Sequence, residues 1–312
     1  MNNIGLIQKF PVNQPLDEWQ IAHRLKVDKP APSKPWHQIS VIKMNSTYLE
    51  CVDKFFENKG LLSTGSLTAF IMLGFAAFNF LSAPFRVWDE VTTERAIAMI
   101  VFSSAAFAGI AIIWFTTFKY EFRRFTHYPM RFNRKNRKVY VTRIDGTVMI
   151  ESWDKLFFEI VPIDKDSDIC DIRGHRLAED GRTVLETFAL AHYGERRNKH
   201  MYCQWEFIRR YMEEGPQAFM DDIDVVMDVA DRRETFWNGY ARLAAEDVAR
   251  GHDIFFFPVN FWYSLGRWVA MRSSKIPVWP PEVEAECQID PDDPYIRDRD
   301  HLADPWESED EV

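Results

Sequence analysis

Only four cysteines occur in 312 residues, Cys51, Cys170, Cys203 and Cys287, and no two form a C-x-x-C pair. That scarcity excludes a disulfide-stapled secreted scaffold and fits reduced thiols. The short motifs of common chemistries are missing too: there is no G-x-S-x-G, no H-E-x-x-H, no phosphate-binding loop and no G-x-G-x-x-G. No catalytic residue is assigned on this basis, and the chain is read as a non-enzyme without a cofactor. Collagen-type repeats are absent, and 46% hydrophobic with 15% aromatic residues is too apolar for disorder. A formal net charge of −9 and a mean hydropathy of −0.30 suggest a soluble acidic protein, but these averages hide an uneven distribution.

Charge itself is missing from two long stretches. Gly60 to Phe85 is a run of 26 residues without a charged side chain, and Ala96 to Phe118 is another of 23. A helix rises about 1.5 Å per residue, so about 20 apolar residues cross roughly 30 Å of hydrocarbon. Residues 61–85 and 96–118 are therefore expected to be transmembrane helices. The first begins too far into the chain for a cleaved leader. Only RVWDEVTTER (86–95) separates them, so they must return as an antiparallel hairpin, with Trp88 and Trp114 near the headgroups. Close helix packing in lipid relies on small residues, and the candidates are Gly65 and Ala69 with Ser104, Ala105, Ala108 and Gly109. The same faces suit homo-oligomerisation. Asn79, the one amide in the spans, is expected to bond across the hairpin. No ionisable side chain lies in either span, which argues against a proton relay or transporter.

From Lys119 to Arg143 there are nine basic residues and a single acid, Glu121. By the positive-inside rule both termini are cytoplasmic and the ten-residue loop is outside. Arg123, Arg124, Arg131, Arg134, Lys135, Arg137 and Lys138 are the candidate contacts to anionic lipid headgroups. Nucleic-acid binding is the competing use of such a cluster, disfavoured by its place beside the bilayer and by the acidic chain.

The remainder reads as α+β: a two-helix transmembrane hairpin with a cytoplasmic antiparallel β domain and a helical C-terminal region. Residues 1–59 form a cytoplasmic segment in which HQISVIKM (37–44) reads as a strand and 44–60 as an amphipathic helix capped by Asn45 or Ser46. The spans occupy 60–118. Within 119–216, VYVTRI and TVMIES flank Asp145-Gly146, a strong hairpin signal, and 182–193 reads as a further strand. The helix 201–216 is stopped by Gly215-Pro216. Strands closed by a helix behind a membrane anchor look like pleckstrin-homology-like domains, an analogy of fold alone.

Residues 217–287 read as helical, with a helix over 223–250. Asp221, Asp222, Asp224, Asp228 and Asp231 lack the spacing of a calcium loop. Residues 253–271 are apolar but hold Pro258, Asn260 and Arg267, and read as too short and interrupted to span a bilayer. Within Phe255–Met271, Phe255, Phe256, Phe257, Phe261, Trp262, Tyr263 and Trp268 are expected to pack internally, with headgroup contact as the alternative. Residues 288–312 carry ten acids and two basic residues, the pattern of a mobile, extended tail. His175 reads as a surface-loop residue. His192, His200 and Cys203 have no spacing that demands a metal, and none is assigned.

Four segments, MNSTYLECVDKFFENKG (44–60), FNRKNRKVYVTRIDGTV (132–148) with Trp153-Asp154, WEFIRRYMEEGP (205–216) and MRSSKIPVWPPEVEAECQIDPDDPY (271–295), sit in order around the hairpin. Together they resemble an uncharacterised family of bacterial two-span membrane proteins associated with type VI secretion gene neighbourhoods. The resemblance implies an inner-membrane immunity protein that binds and neutralises a cognate effector, one that itself acts on membranes. An accessory scaffold for effector loading and a lipid-binding or lipid-modifying protein are the alternatives. The implied partners are an effector or secretion-system protein and inner-membrane lipids.

Overall fold

The computed structural model describes Phe10 and residues 12–86, 92–163, 167–195, 199–220, 223 and 226–301. Trp88 and most of the loop between the spans, Asp221, Asp222 and Asp224, the side chains of His192 and His200, and the tail after 301 lie outside the described residues. In chain order the elements are β1 (Gln14–Pro15), α1 (Glu18–Ala22), β2 (Arg24–Leu25), β3 (Val41–Met44), β4 (Tyr48–Cys51), α2 (Leu61–Arg86) and α3 (Thr93–Glu121). There follow β5 (Met130–Asn133), β6 (Lys138–Thr142), β7 (Val148–Ser152), β8 (Phe157–Pro162), β9 (Ile169–Leu177), β10 (Thr183–Glu195), α4 (Cys203–Glu214), α5 (Phe236–Ala249), α6 (Asp253–Ser273) and α7 (Pro281–Glu286). The chain divides into two compact units that interleave along the sequence. The first is Met1–Glu57, Phe125–Arg233 and Ile276–Val312; the second is Asn58–Arg124 and Glu234–Lys275.

The first unit holds two five-stranded antiparallel sheets, ordered β3-β4-β5-β6-β7 and β1-β10-β9-β8-β2. Asp145-Gly146 turns the chain between β6 and β7 as its sequence requires. Gly146 takes a φ of +88°, and Asp145 accepts hydrogen bonds from the Thr147 backbone and hydroxyl. Both sheets and α4 meet in one core built from Phe132, Val139, Phe158, Ile172, Phe188 and Trp205. Gly174 on β9 sits where a Cβ would come 2.3 Å from the Phe188 ring and 2.9 Å from that of Phe158. Gly174→Ala is expected to overpack this core by about 1–3 kcal/mol, read as a lower urea midpoint.

Residues 44–60 are not a helix. Tyr48 to Cys51 form β4, paired in register with β5 (Tyr48↔Asn133, Cys51↔Met130), and all four are buried. A strand covered on both faces loses the alternation that identifies strands, which is why its apolar positions mimic a helix. Asn45 still uses its side chain on the backbone, but in a turn: Oδ1 accepts from the amides of Thr47 and Tyr48. The long helix expected over 223–250 is shorter, α5 alone. Ahead of it the chain runs against β3, with the Met227 amide on the Val41 carbonyl at 2.6 Å. Nor is the acidic segment free as far as residue 301. Arg297 bridges to Met44, Asp293 accepts from the Ser46 amide and hydroxyl, and Asp290 pairs with Lys135 at 2.7 Å.

In the second unit α2 and α3 form the expected antiparallel hairpin. Both are long and apolar enough to cross a membrane, and only 22% and 11% of their most apolar windows are buried. They meet through larger residues than expected: Phe70 against Phe107 and Trp114, and Ser66 Oγ 2.8 Å from Thr117 Oγ1. Ser104, Ala105, Ala108, Gly109 and Ala69 are exposed, and a Cβ on Gly109 would meet nothing within 4 Å. Half-buried Gly65 lies beside Tyr263 of α6. The small stripe of α3 thus turns away from α2, because the aromatic residues fill the seam. Asn79 does not bond across the hairpin either. It donates to its own helix at Phe75 O, 2.8 Å away, and accepts from Arg86.

The open end of the hairpin is closed by Glu121, the acid at the end of α3. Its carboxylate accepts from the amides of Gly60, Leu62 and Ser63, the otherwise orphaned donors at the start of α2. Lys59 Nζ donates to the Glu121 carbonyl at 2.7 Å. Glu121→Ala is expected to destabilise the hairpin by about 2 kcal/mol, measured by denaturation in detergent, with Glu121→Gln falling short of that loss.

Candidate functional site

The basic cluster that sequence reading assigned to lipid splits in two. Arg123 and Arg124 stay exposed at the end of the hairpin. The other five belong to the first unit, where acids engage most of them. Arg137 holds Asp154 and Glu213, Lys138 holds Glu286, and Lys135 holds Asp290. Arg134 is half-buried at the end of β5. Arg131 is 4% exposed and cannot reach a headgroup. Arg131, Lys135, Arg137 and Lys138 thus join strands to distant segments, a role that no local pattern announces.

Arg131 organises the best-built polar site of the first unit. It stands on β5 opposite Glu50 of β4, and its Nε donates to Glu50 Oε2 at 2.7 Å. Nη2 donates to Glu284 Oε1 at 3.0 Å. The guanidinium lies over the rings of Tyr48, at 4.5 Å, and Trp279, at 4.7 Å. Trp279 Nε1 donates to the remaining Glu50 oxygen at 3.1 Å. Burial works against the charge on Arg131, but the Glu50 carboxylate beside it holds the proton more firmly than usual. Burial also raises the Tyr48 phenol and pushes the Cys51 thiol up to about 12, so both stay neutral. A cavity of about 410 Å³ opens beside this group, lined among others by Lys43, His127, Asp231 and Trp279. It offers a fixed cation, an aromatic wall and polar groups of both signs, the makings of a seat for a side chain or small polar ligand.

His175 is not on a loop. It lies in β9, buried, between Thr187 Oγ1 and Glu159 Oε1, each 2.8 Å away. Gln20 Nε2 donates to the same Glu159 oxygen at 2.8 Å, tying α1 to β8. A second buried group joins Lys54, Asp171 and Arg173, with Arg173 4.8 Å over the Phe10 ring. Cys203 is buried and accepts from Gln38. Local patterns do not reveal these groups because bonded partners lie up to 229 residues apart, as Glu50 and Trp279 do.

Several surface acids titrate low through such pairs. The hydrogen bond from Arg137 lowers Asp154, and that from Lys138 lowers Glu286. A depressed folded-state value makes its stabilisation complete above the ordinary carboxylate range and lost as pH falls below it. The urea midpoint of the first unit is therefore expected to fall on acidification below about pH 4, and Arg137→Ala should flatten that fall. Both acids are well exposed, so the effect is modest.

No curated protein and no solved structure matches this chain. Residues 107–291, more than half of the sequence, match a family of unknown function, DUF6708, and the chain belongs to that family.

Proposed function

We propose that this is a membrane-anchored binding protein of the bacterial inner membrane, with both termini cytoplasmic, that neutralises a cognate type VI secretion effector without turnover. The observation that carries the anchor is the outward apolar surface of α2 and α3, where Met72, Phe75, Val101 and Phe102 are 62–73% exposed. Exposed Arg123 and Arg124 at the open end of the hairpin favour a cytoplasmic first unit. That unit reads as pleckstrin-homology-like. In support, β4 to β7 follow one another in one sheet, β8 to β10 in the other, and α4 comes after them. The membrane hairpin is then an insertion between the first two strands of the meander. The cavity beside Arg131 is the place on this unit where an effector side chain would seat.

The test is genetic. Deleting the gene beside an intact effector gene should produce killing between sister cells, relieved by the wild-type gene supplied in trans. Unchanged survival removes the immunity reading, and loss of effector secretion from healthy cells would favour the loading scaffold.

A further inference from the structure

α6 is built inside out for a helix in water. It runs 21 residues, about 31 Å at 1.5 Å per residue. Its polar side chains Asn260, Ser264 and Arg267 recur at intervals of four and three, so they share one face, and that face is buried. Asn260 donates to Asp247 of α5 at 2.8 Å, and Arg267 is 1% exposed against Glu234. Apart from the buried Ala270 and Met271 near its C-terminal end, most of the large apolar side chains point the other way. Ile254 is 87% exposed, Phe255 80%, Val259 48% and Val269 40%. A surface helix in water places its polar stripe outside; this one reverses the order.

We infer that the outward face of α6 contacts lipid acyl chains, making α6 a third membrane-embedded helix beside the hairpin. The inference rests on the membrane reading of α2 and α3 given above. Three observations favour lipid over a protein occupant. First, α6 packs directly on the opening turns of α2: Trp262 Nε1 donates to Thr68 Oγ1 at 2.8 Å, and Gly266 lies against Thr64. Its exposed face therefore continues the exposed face of α2, from Ile71 to Phe75. Second, its C-terminal end is level with the hairpin's open end, since the Lys275 amide bonds to the Arg124 carbonyl at 2.7 Å. Third, Arg272 lies 5.4 Å over the Trp268 ring at that same end, the aromatic and basic pairing favoured at headgroup depth. Pro258 does not prevent this, because the helix runs continuously through it.

The test uses the full chain in bilayers of phosphatidylethanolamine and phosphatidylglycerol. Spin labels are placed singly through Phe255→Cys, Val259→Cys and Val269→Cys on α6, Phe102→Cys and Ile112→Cys on α3, and Asp145→Cys on the exposed β6–β7 turn. The native cysteines are buried and leave the labels single. Collision with oxygen reports lipid, and collision with a nickel chelate reports water. The α6 labels should match those on α3, with an oxygen-to-nickel ratio several-fold above that of Asp145→Cys. Lipid-exposed α3 labels with nickel-accessible α6 labels would overturn the inference and leave the membrane reading standing. So would α6 labels shielded from both probes, the mark of a second copy or another protein on this face. Nickel access on α3 as well would overturn both.

Discussion

Replacing Arg267 by alanine is expected to destabilise the second unit by about 3–5 kcal/mol, the usual penalty for removing one member of a buried ion pair. Arg267 grips Glu234 with two nitrogens, at 2.6 and 3.2 Å, and its Nη1 reaches the Lys59 carbonyl. With Arg267 gone, Glu234 keeps Arg242 at 3.7 Å and is itself only 6% exposed. The site is also tightly built: a Cβ on Gly60 would stand 2.4 Å from the Arg267 Cα. Desolvation makes the intact pair a poor source of net stability, so Arg267→Met with Glu234→Leu should recover most of the loss. Denaturation of the full chain in detergent reads both. A single variant as stable as wild type would show that the carboxylate finds water, and a double variant no better than the single would show that packing, not charge, carries the effect.

How much of this was legible in the sequence depends on the distance over which each signal acts. The long apolar helices α2 and α3 are plain because composition alone decides them. The Asp145-Gly146 turn and the Gly215-Pro216 stop at the end of α4 were plain because their physics lies within a few residues. β4 was lost because its period disappears when both faces are covered. Arg131 reads as a lipid contact because eight other basic residues surround it in sequence, whereas the Glu50 and Glu284 that hold it lie 81 and 153 residues away. His175 reads as a loop residue for the same reason, its acid being on the neighbouring strand. In α6 a usable signal was present. Asn260, Ser264 and Arg267 mark a narrow polar stripe on an otherwise apolar helix, a pattern that predicts burial of the stripe.

Trp205→Ala is expected to lower the stability of the first unit by about 3–5 kcal/mol, the range for emptying a large aromatic site in a closed core. Trp205 is 1% exposed and joins α4 to both sheets. Its ring stacks on Trp153 at 5.6 Å and tilts against Phe158 at 4.7 Å, while Trp153 in turn meets Phe132 of β5 edge-on at 6.1 Å. Removing the indole breaks contacts to helix and sheets at once, and the surrounding rings cannot close the gap without leaving one another. Trp153 has a second hold, its Nε1 donating to Glu213 Oε1 at 2.8 Å, so it stays in place and the cavity persists. Trp205→Phe keeps an aromatic body there and should lose less than half as much. Urea denaturation followed by near-ultraviolet circular dichroism reads the difference. Equal losses for alanine and phenylalanine would mean that ring size does not matter and that α4 is held by its other core residues, Phe207, Ile208, Tyr211 and Met212.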